Sequence, residues 1–357
     1  MSRLQGKSIC VIGGGLSGLI LAREFSRRGG AVTIVDSDDG MGATKAAQGL
    51  SVIKGLLDPR ETLFKLKWHG AKAFPKFVKS IIEESGIPVA LIKGIREPFS
   101  SAAEFAAIKQ RVFSGEFVGL NAVEIESNSF FYPDDYWVHA QDFSKALVGA
   151  VDRLGVTRIA GVLTNFETFG DRSWSITIST NGSIQKKPFN HLCLATGAGT
   201  KSLLANQYLK EPLKTVPGVT ATASIDKAHH GVWVHKTYSL AACSGLARIG
   251  SIDLEDQEIP NNQHLAKLIA ECLSLFEAAE IPMPATSDFF IHYGVRLRTK
   301  SRLPMVGVRS IDGAPLGLLS ALHKNGFQIA PLAAEALVDL YEGKSISEMW
   351  NDCLVRT

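Results

Sequence analysis

The sequence has few cysteines and almost no excess of either charge. Its five cysteines are scattered over 357 residues without a CxxC pair, so neither a disulfide framework nor a zinc site is indicated. The 38 Lys and Arg against 35 Asp and Glu leave a net charge of +3, too weak to indicate nucleic-acid binding without a local patch. The nine histidines show no metal-ligand spacing. We therefore expect no bound metal.

A long hydrophobic run is also missing. The most apolar early stretch, residues 9 to 22, has only 14 residues and includes four glycines, so neither a membrane-spanning helix nor a signal peptide is indicated. No internal repeat, low-complexity segment or flexible linker is visible. We expect about two domains, a location in the reducing cytoplasm and no membrane partner. The composition is compatible with an oligomer.

The first fifty residues contain a nucleotide-binding pattern. An apolar run at 8–12 is followed by the glycine-rich GGGLSG and by apolar residues at helical spacing over 19–28, which predicts a strand, a tight turn and a helix. Gly13, Gly15 and Gly18 form GxGxxG: one glycine for the turn, one for close approach to a pyrophosphate and one for packing of the helix on the strand.

A second predicted strand, at 31–35, ends at an acidic residue. Asp36 follows Gly13 by 23 residues and stands where an acid can bond a ribose hydroxyl. Asp38 and Asp39 come next, and no Arg or Lys is available there for a 2′-phosphate, which disfavours NADP. This unit alone does not separate NAD from FAD.

Four later segments resemble, in the same order, the glycine and D-amino acid oxidase family of FAD-dependent oxidoreductases. They are GATKAAQG (42–49), GVLTNFE (161–167), LCLATGAGT (192–200) and HKNGFQIAP (323–331). Each alone could be a surface loop, a strand exit or a turn, but four in the family's order favour FAD. Some sarcosine-oxidising relatives attach the flavin to a cysteine between the positions of Arg296 and Lys324. None is present here, so the resemblance implies noncovalent FAD.

The pattern and the resemblance together imply a set of cofactor-binding residues. Val162 would offer its backbone to the adenine, and the small residues of 42–49 would pass close to the diphosphate. A final helix, predicted at 327–341, would stabilise negative charge on the flavin through its free N–H groups. The full set is Gly13, Gly15, Leu16, Ser17, Gly18, Asp36, Ser37, Ala43, Thr44, Gln48, Gly49, Val162, Thr196, Gly197, Asn325, Gly326, Phe327 and Gln328.

Two stretches between these segments indicate a second domain. The first contains a helix-like run at 102–112 and an aromatic turn, FFYPDDYW; the second alternates β-branched and aromatic residues, which favours an antiparallel sheet, and has a helix at 263–279. We predict an α/β protein in which a Rossmann-like FAD-binding domain is interleaved with an α+β substrate domain built on a mainly antiparallel sheet. The boundaries are 1–86, 136–212 and 296–357 for the FAD-binding domain, and 87–135 and 213–295 for the substrate domain.

The resemblance also implies the chemistry. In this family a flavin takes a hydride from the carbon beside an amine, water hydrolyses the imine, and dioxygen usually reoxidises the flavin, so a small amine or amino acid is the expected substrate. Arg296 stands in the family's Gly-x-Arg and is expected to hold the substrate carboxylate bidentately. Tyr238 is a second candidate, with a buried core tyrosine as the alternative. Lys324 is the third, at a position where many relatives have arginine.

The segment GVRLRTKSRLPMVG spaces four cations two residues apart, so an extended strand would point them to one side. It also resembles the FAD domain of the bifunctional enzyme that removes a glycine moiety from the tRNA wobble uridine. Under that alternative, tRNA is a partner and Arg298, Lys300 and Arg302 meet its phosphates; otherwise they form a solvated edge. An FAD-binding protein without turnover is the alternative of another class.

Overall fold

The structure is a computed structural model. It describes residues 2–37, 42–53, 61–113, 123–170, 172–204, 212–255 and 258–355. Asp38 and Asp39, on which the argument against NADP drew, lie outside the described residues.

Strands and helices alternate from β1 to α4, and strands dominate the rest of the described chain. The strands are β1 Ser8–Ile12, β2 Ala31–Asp36, β3 Leu50–Ser51, β4 Leu91–Pro98, β5 Glu124–Ile125, β6 Ser129–Val138, β7 Thr157–Ala160, β8 Val162–Phe169, β9 Ser173–Thr180, β10 Ser183–Phe189, β11 His191–Leu194, β12 Lys214–Ser224, β13 Gly231–His235, β14 Tyr238–Cys243, β15 Leu246–Asp253, β16 Phe290–Arg298, β17 Met305–Ile311 and β18 Ala314–Ser320. The α-helices are α1 Leu16–Arg27, α2 Gly42–Lys45, α3 Thr62–Ser85, α4 Ala102–Phe113, α5 Ala140–Arg153, α6 Thr200–Leu203, α7 Asn262–Ala278 and α8 Gly326–Tyr341.

A six-stranded sheet carries the glycine-rich turn at its centre. Its order is β17-β18-β11-β1-β2-β7, and its neighbours are parallel except for β17 and β18. After Ser8, β1 is apolar and buried because both faces of the sheet are covered. Ile9 and Val11 join the core formed with α1, α3, α5 and α8, whereas Cys10 and Ile12 join a second core on the opposite face.

A three-stranded antiparallel sheet, β10-β9-β8, covers that opposite face. Trp174, Ile176 and Ile178 of β9 are buried in the second core. The indole N–H of Trp174 donates to the carbonyl of Pro315 at 2.8 Å and so ties this sheet to β18.

The largest sheet is mainly antiparallel. Its order is β16-β12-β15-β14-β13-β4-β6-β3, with β5 beside β6, and the pairing of β13 with β4 is parallel. Along β12, Val219 and Ala221 pack in the core under α7, while Gly218 and Thr220 line a cavity on the other face. The predicted fold class is confirmed: a Rossmann-like parallel sheet is interleaved with a mainly antiparallel second sheet.

The segment FFYPDDYW is a strand, so its prediction as a turn is wrong. It belongs to β6, and Pro133 is accommodated because the pairing with β4 is irregular there. The paired positions jump from Lys93 with Tyr136 to Ile95 with Tyr132. Pro133 therefore falls in a bulge, where its missing N–H breaks no ladder hydrogen bond.

The predicted row of four cations is interrupted. β16 ends at Arg298, and a turn follows in which the Thr299 hydroxyl donates to the carbonyl of Leu303 at 2.7 Å and Arg302 has a φ of +65°. Arg296 and Arg298 therefore share one side of a strand, but Lys300 and Arg302 do not continue that row.

We propose the division into two interleaved domains with the boundaries given above. The strands of the largest sheet fall within 87–135 and 213–295, apart from β3 and the ends of β6 and β16, and this sorting supports the division.

The described residues contain neither a membrane-spanning helix nor a metal-binding group of side chains. No helix there combines the length and the apolar character that a membrane span needs. No group of three or more His, Cys, Asp or Glu side chains within the same residues has a metal-binding arrangement.

Candidate active site

A cavity of about 1360 Å³ lies between the parallel sheet and the largest sheet. Residues at the carboxyl ends of β1, β11 and β18 line one wall, and Thr220, Gly250 and Arg296 belong to the other. Nucleotides bind at the carboxyl ends of the strands in open α/β sheets. The volume exceeds the roughly 300–1,000 Å³ of ordinary small-molecule sites, so a dinucleotide and a small substrate fit together.

The glycine-rich turn lies at the carboxyl end of β1. Gly13 has a φ of +105°, and a Cβ atom there would overlap the carbonyl of Ala195 on the neighbouring chain segment. A Cβ on Gly18 would overlap the carbonyl of Gly13, so this glycine does not line the cavity and instead lets α1 lie against the turn. Gly15 caps α1 without a side-chain hydrogen bond, which leaves the helix N-terminus open to an anion.

Two side chains hold the turn in place. The Asp36 carboxylate accepts a hydrogen bond from the backbone N–H of Gly14, and the Thr44 hydroxyl accepts one from the N–H of Leu16 at 3.1 Å. Both side chains also line the cavity. Asp36 thus positions the turn in addition to facing the place predicted for the ribose.

The segment that follows α2 contributes a buried amide. Both polar atoms of the Gln48 side chain are buried and have no hydrogen-bond partner among the described residues, although Gln48 lines the cavity. Buried polar atoms are nearly always satisfied, so this amide fits a ligand with polar groups of its own. At Gly49, which has a φ of +77°, a Cβ atom would overlap the carbonyl of Val138.

The other predicted cofactor residues meet at the same cavity. Gln328 donates from its side chain to the carbonyl of Lys67 at 2.7 Å, and the Phe327 ring packs against Phe143 at 5.7 Å between centroids, so the start of α8 is rigidly placed. The cavity-lining members of the predicted set are all except Gly18: Gly13, Gly15, Leu16, Ser17, Asp36, Ser37, Ala43, Thr44, Gln48, Gly49, Val162, Thr196, Gly197, Asn325, Gly326, Phe327 and Gln328. The donor set, the close-approach glycines and the orphaned Gln48 amide fit FAD.

A cluster of three charges lines the cavity where the largest sheet meets α8. Arg296 donates from Nη2 to Oδ1 of Asp253 at 2.6 Å, and Nζ of Lys324 lies 2.9 Å from Oδ2 of the same carboxylate. Burial would raise the pKa of the Asp253 carboxyl, but Arg296 and Lys324 hold it below its usual value, so the group is ionised at neutral pH. The structure thus brings two of the three predicted catalytic residues together around an aspartate.

Two more basic groups on the cavity wall have lowered pKa values. Burial, assisted by the neighbouring Arg296 and Lys324, lowers the pKa of His323 to about 4, so its ring is neutral at pH 7. Burial lowers the pKa of Lys67 to about 8, against the opposing effect of the Asp135 carboxylate. Lys67 therefore carries a charge at neutral pH that is easier to remove than that of an ordinary lysine.

Tyr238 does not line the cavity, although the charge of Asp253 reaches its hydroxyl. Its neighbour Ser239 lines the cavity, whereas Tyr238 packs against the core under α7 and interacts with the carboxylate of Glu271. Successive residues of a strand face opposite sides of the sheet, so a difference of one position decides between cavity and core. The position favours the core tyrosine alternative, and we assign Tyr238 no contact with substrate.

Several cavity residues were missed by the sequence analysis. The sequence patterns gave no role to Asp253 or Lys67, and for Arg302 they left a tRNA phosphate contact or a solvated edge, although Arg302 also lines the cavity. The signal for Asp253 was its place at the end of an alternating strand, two residues beyond a Gly-Ser pair. Lys67 lies in the second turn of α3, where helical spacing alone does not distinguish it from exposed lysines.

This combination of a GxGxxG turn, a cavity at the carboxyl ends of parallel strands and an antiparallel sheet over it defines a dinucleotide-dependent oxidoreductase. The family model described as FAD dependent oxidoreductase matches residues 8–340, and the chain belongs to that family. FAD is its cofactor.

Individual relatives match nearly the whole length of the chain. Glycine oxidase from Geobacillus kaustophilus has the same fold, with a TM-score of 0.79 over 98% of this chain and 99% of its own, at 18% identity. The bifunctional protein ThiO/ThiG of Trichormus variabilis is 24% identical over 95% of this chain and 53% of its own length. The tRNA 5-methylaminomethyl-2-thiouridine biosynthesis bifunctional protein MnmC of Shewanella amazonensis is 24% identical over 94% of this chain and 57% of its own. The chain spans little more than half the length of these curated relatives.

Proposed function

We propose that this oxidoreductase oxidises the C–N bond of a carboxylate-bearing amine, such as glycine, a glycine derivative or a D-amino acid. The observation that carries the proposal is the position of Arg296 and Lys324 in the same cavity as the FAD-binding residues. A paired guanidinium and ammonium inside a cavity suit a substrate carboxylate, because charge-assisted hydrogen bonds are both strong and directional.

Each residue has a physical task in this reaction. When bound, FAD supplies the acceptor for the hydride from the carbon beside the amine, and dioxygen is its proposed reoxidant. Arg296 holds the carboxylate and so fixes which carbon faces the cofactor. The resulting imine is hydrolysed by water. The N-terminus of α8, at Asn325 to Gln328, is proposed to favour negative charge on the cofactor through the unpaired N–H groups of the first helical turn.

The binding of FAD is proposed to be noncovalent, because no cysteine lies between Arg296 and Lys324. Acid precipitation of the purified yellow protein should release the flavin into the supernatant. Flavin that stays with the pellet would contradict this part of the proposal.

The reaction is tested by mixing the oxidised holoprotein, without oxygen, with a panel of glycine, sarcosine, D-amino acids and proline. Loss of the yellow colour with at least one of them is the expected result. A flavin that no member of the panel or modified tRNA reduces would favour the alternative of an FAD-binding protein without turnover.

A second candidate is the oxidation of the carboxymethylaminomethyl group of a tRNA wobble uridine. It is favoured by the exposed Lys300 and Arg302 beside the cavity and by the similarity to MnmC. Replacing both cations by Ala should reduce turnover of modified tRNA, and the loss should grow with added salt because phosphate binding releases counterions. Unchanged turnover of modified tRNA in the same variant would make the pair a solvated edge, whatever the turnover of a small amine.

We also propose a cytoplasmic location. All five cysteines are buried free thiols, which suits a reducing compartment. Fractionation of the source cells with an antibody to the chain tests the location.

A further inference from the structure

The carboxylate of Asp253 forms ion pairs with both cations that are proposed to bind the substrate carboxylate. One oxygen accepts from Arg296 at 2.6 Å and the other lies 2.9 Å from Lys324. The three side chains come from β15, β16 and the helical turn before α8, and all of them line the cavity. The Asp253 side chain is 42% exposed and that of Arg296 is 17% exposed, so the aspartate is the more solvent-accessible of the two.

The cations nevertheless keep donors for a ligand. A guanidinium has five N–H donors and an ammonium has three. Asp253 takes one from Arg296 and one from Lys324. A carboxylate entering the cavity can therefore bind the same two side chains without displacing the aspartate.

The difference that Asp253 makes is the charge of the cluster. Arg296 and Lys324 alone would present two positive charges, which match a dicarboxylate or a phosphate. With the ionised Asp253 between them the cluster carries one, and the adjacent His323 adds none at pH 7 because its pKa is lowered to about 4. One positive charge matches one monoanionic carboxylate.

We propose that Asp253 is a specificity-determining residue that restricts the Arg296 and Lys324 pair to amines with a single carboxylate and disfavours dianions. The inference rests on the proposed function, since it concerns the carboxylate of the same substrate. It excludes from the substrate class the amines that carry a second carboxylate or a phosphate near the reacting carbon.

The test uses two probes that differ by one carboxylate. Acetate and malonate are titrated into the oxidised holoprotein, and binding is followed through the change in the flavin absorption spectrum, so no turnover is needed. Asp253→Asn should raise the ratio of malonate affinity to acetate affinity about tenfold, the effect of one added unit of charge at a partly screened contact distance. Asp253→Glu, which keeps the charge, should leave the ratio near that of the wild type.

Two further variants make the result decisive. Asp288→Asn removes one carboxylate outside the cavity-lining residues and should leave the ratio unchanged. Asp253→Ser repeats the charge removal with a smaller side chain in case the Asn variant does not fold, and should raise the ratio similarly.

Three outcomes would overturn the inference. If acetate binds and the ratio stays within about twofold in both the Asn and Ser variants, Asp253 only braces its two partners, while the proposed function survives. A ratio that also rises with Asp253→Glu would point to geometry instead of charge. If neither probe perturbs the flavin of the wild type, the carboxylate site itself is absent and the proposed function falls with the inference.

Discussion

Arg296 and Arg298 lie on the same side of β16, two positions apart, yet only Arg296 lines the cavity. The difference comes from what surrounds each side chain. Arg296 is held by Asp253, and Gly218 on the neighbouring β12 leaves room for its guanidinium, because a Cβ atom there would overlap it. Whether an arginine of this basic stretch lines the cavity therefore depends on its neighbours in the fold.

Replacement of Arg296 by Ala should weaken binding of any carboxylate substrate or inhibitor. The expected loss is on the order of 2 to 5 kcal/mol, the range for truncating one side of a buried charge pair. The measurement is the affinity for acetate together with kcat/KM for the best amine. Arg298→Ala is the matched control and should change both by less than about threefold. Equal affinities in wild type and Arg296→Ala would move the carboxylate site elsewhere.

Asp36 combines two tasks in one carboxylate, since it faces the cavity and accepts the N–H of Gly14. Asp36→Ala should weaken FAD binding through both, while leaving the chemistry intact because the ribose is far from the reacting ring. We expect a higher dissociation constant for FAD and near-normal turnover at saturating FAD. Low turnover with the cofactor fully bound would show that Asp36 acts on the reaction itself.

At the scale of elements, close packing of helix on strand sets the shape of the cofactor site. α1 approaches the glycine-rich turn so closely that the position of Gly18 has no room for a side chain. The N-terminus of α1 is thereby fixed over the turn at the cavity wall, to which Leu16 and Ser17 belong.

Gly18→Ala should push α1 away from the turn. Overpacking of this kind costs about 1–3 kcal/mol or more in the free energy of unfolding, and FAD affinity should fall with it. Gly199→Ala is the matched control in the same cavity, because its nearest neighbour would be Thr196 Cβ at 3.6 Å, an ordinary contact. Thermal unfolding and FAD titration of both variants test the difference. A Gly18→Ala protein as stable as the control would contradict the packing.

The elements also show what the sequence can predict. β1 and α8 were predicted within one residue because glycine punctuation and hydrophobic periodicity agree there. β6 was missed because a proline argues against a strand, and Pro133 is tolerated only because it falls in a bulge of β6 that the pairing with β4 creates. The role of Asp253 depends on Arg296, 43 positions later, which only the pairing of β15 and β16 with β12 brings close. Local patterns carry no information about such partners.

For the whole molecule, burial of histidines couples stability to pH. Burial lowers the pKa of His191, His292 and His323 to about 4 from an ordinary value near 6.5. Between these values the unfolded chain binds more protons than the folded one, so the free energy of unfolding rises with pH. The stabilisation is complete above about pH 6.5 and decreases as the pH falls toward 4. The folded protein should therefore be destabilised by mild acid.

His191→Gln tests this coupling away from the cavity. The free energy of unfolding should fall less between pH 7 and pH 5 than in the wild type. The slope of that free energy against pH should decrease by up to about one bound proton. Urea unfolding at the two pH values provides the measurement. Replacement of the exposed His230 by Gln serves as the control for the loss of a surface histidine. An identical slope in His191→Gln would mean that the buried ring titrates normally.

The order of the six-stranded sheet has a consequence for synthesis. β1 is complete by residue 12, but its neighbour β11 begins at residue 191 and pairs in turn with β18, and the cavity is finished only by residues 323 to 328. The nucleotide-binding turn therefore leaves the ribosome long before the residues that complete the cavity around it have been synthesised. We expect FAD to be captured only after nearly the entire chain has been translated, so a polypeptide that stops short of α8 should leave the ribosome colourless.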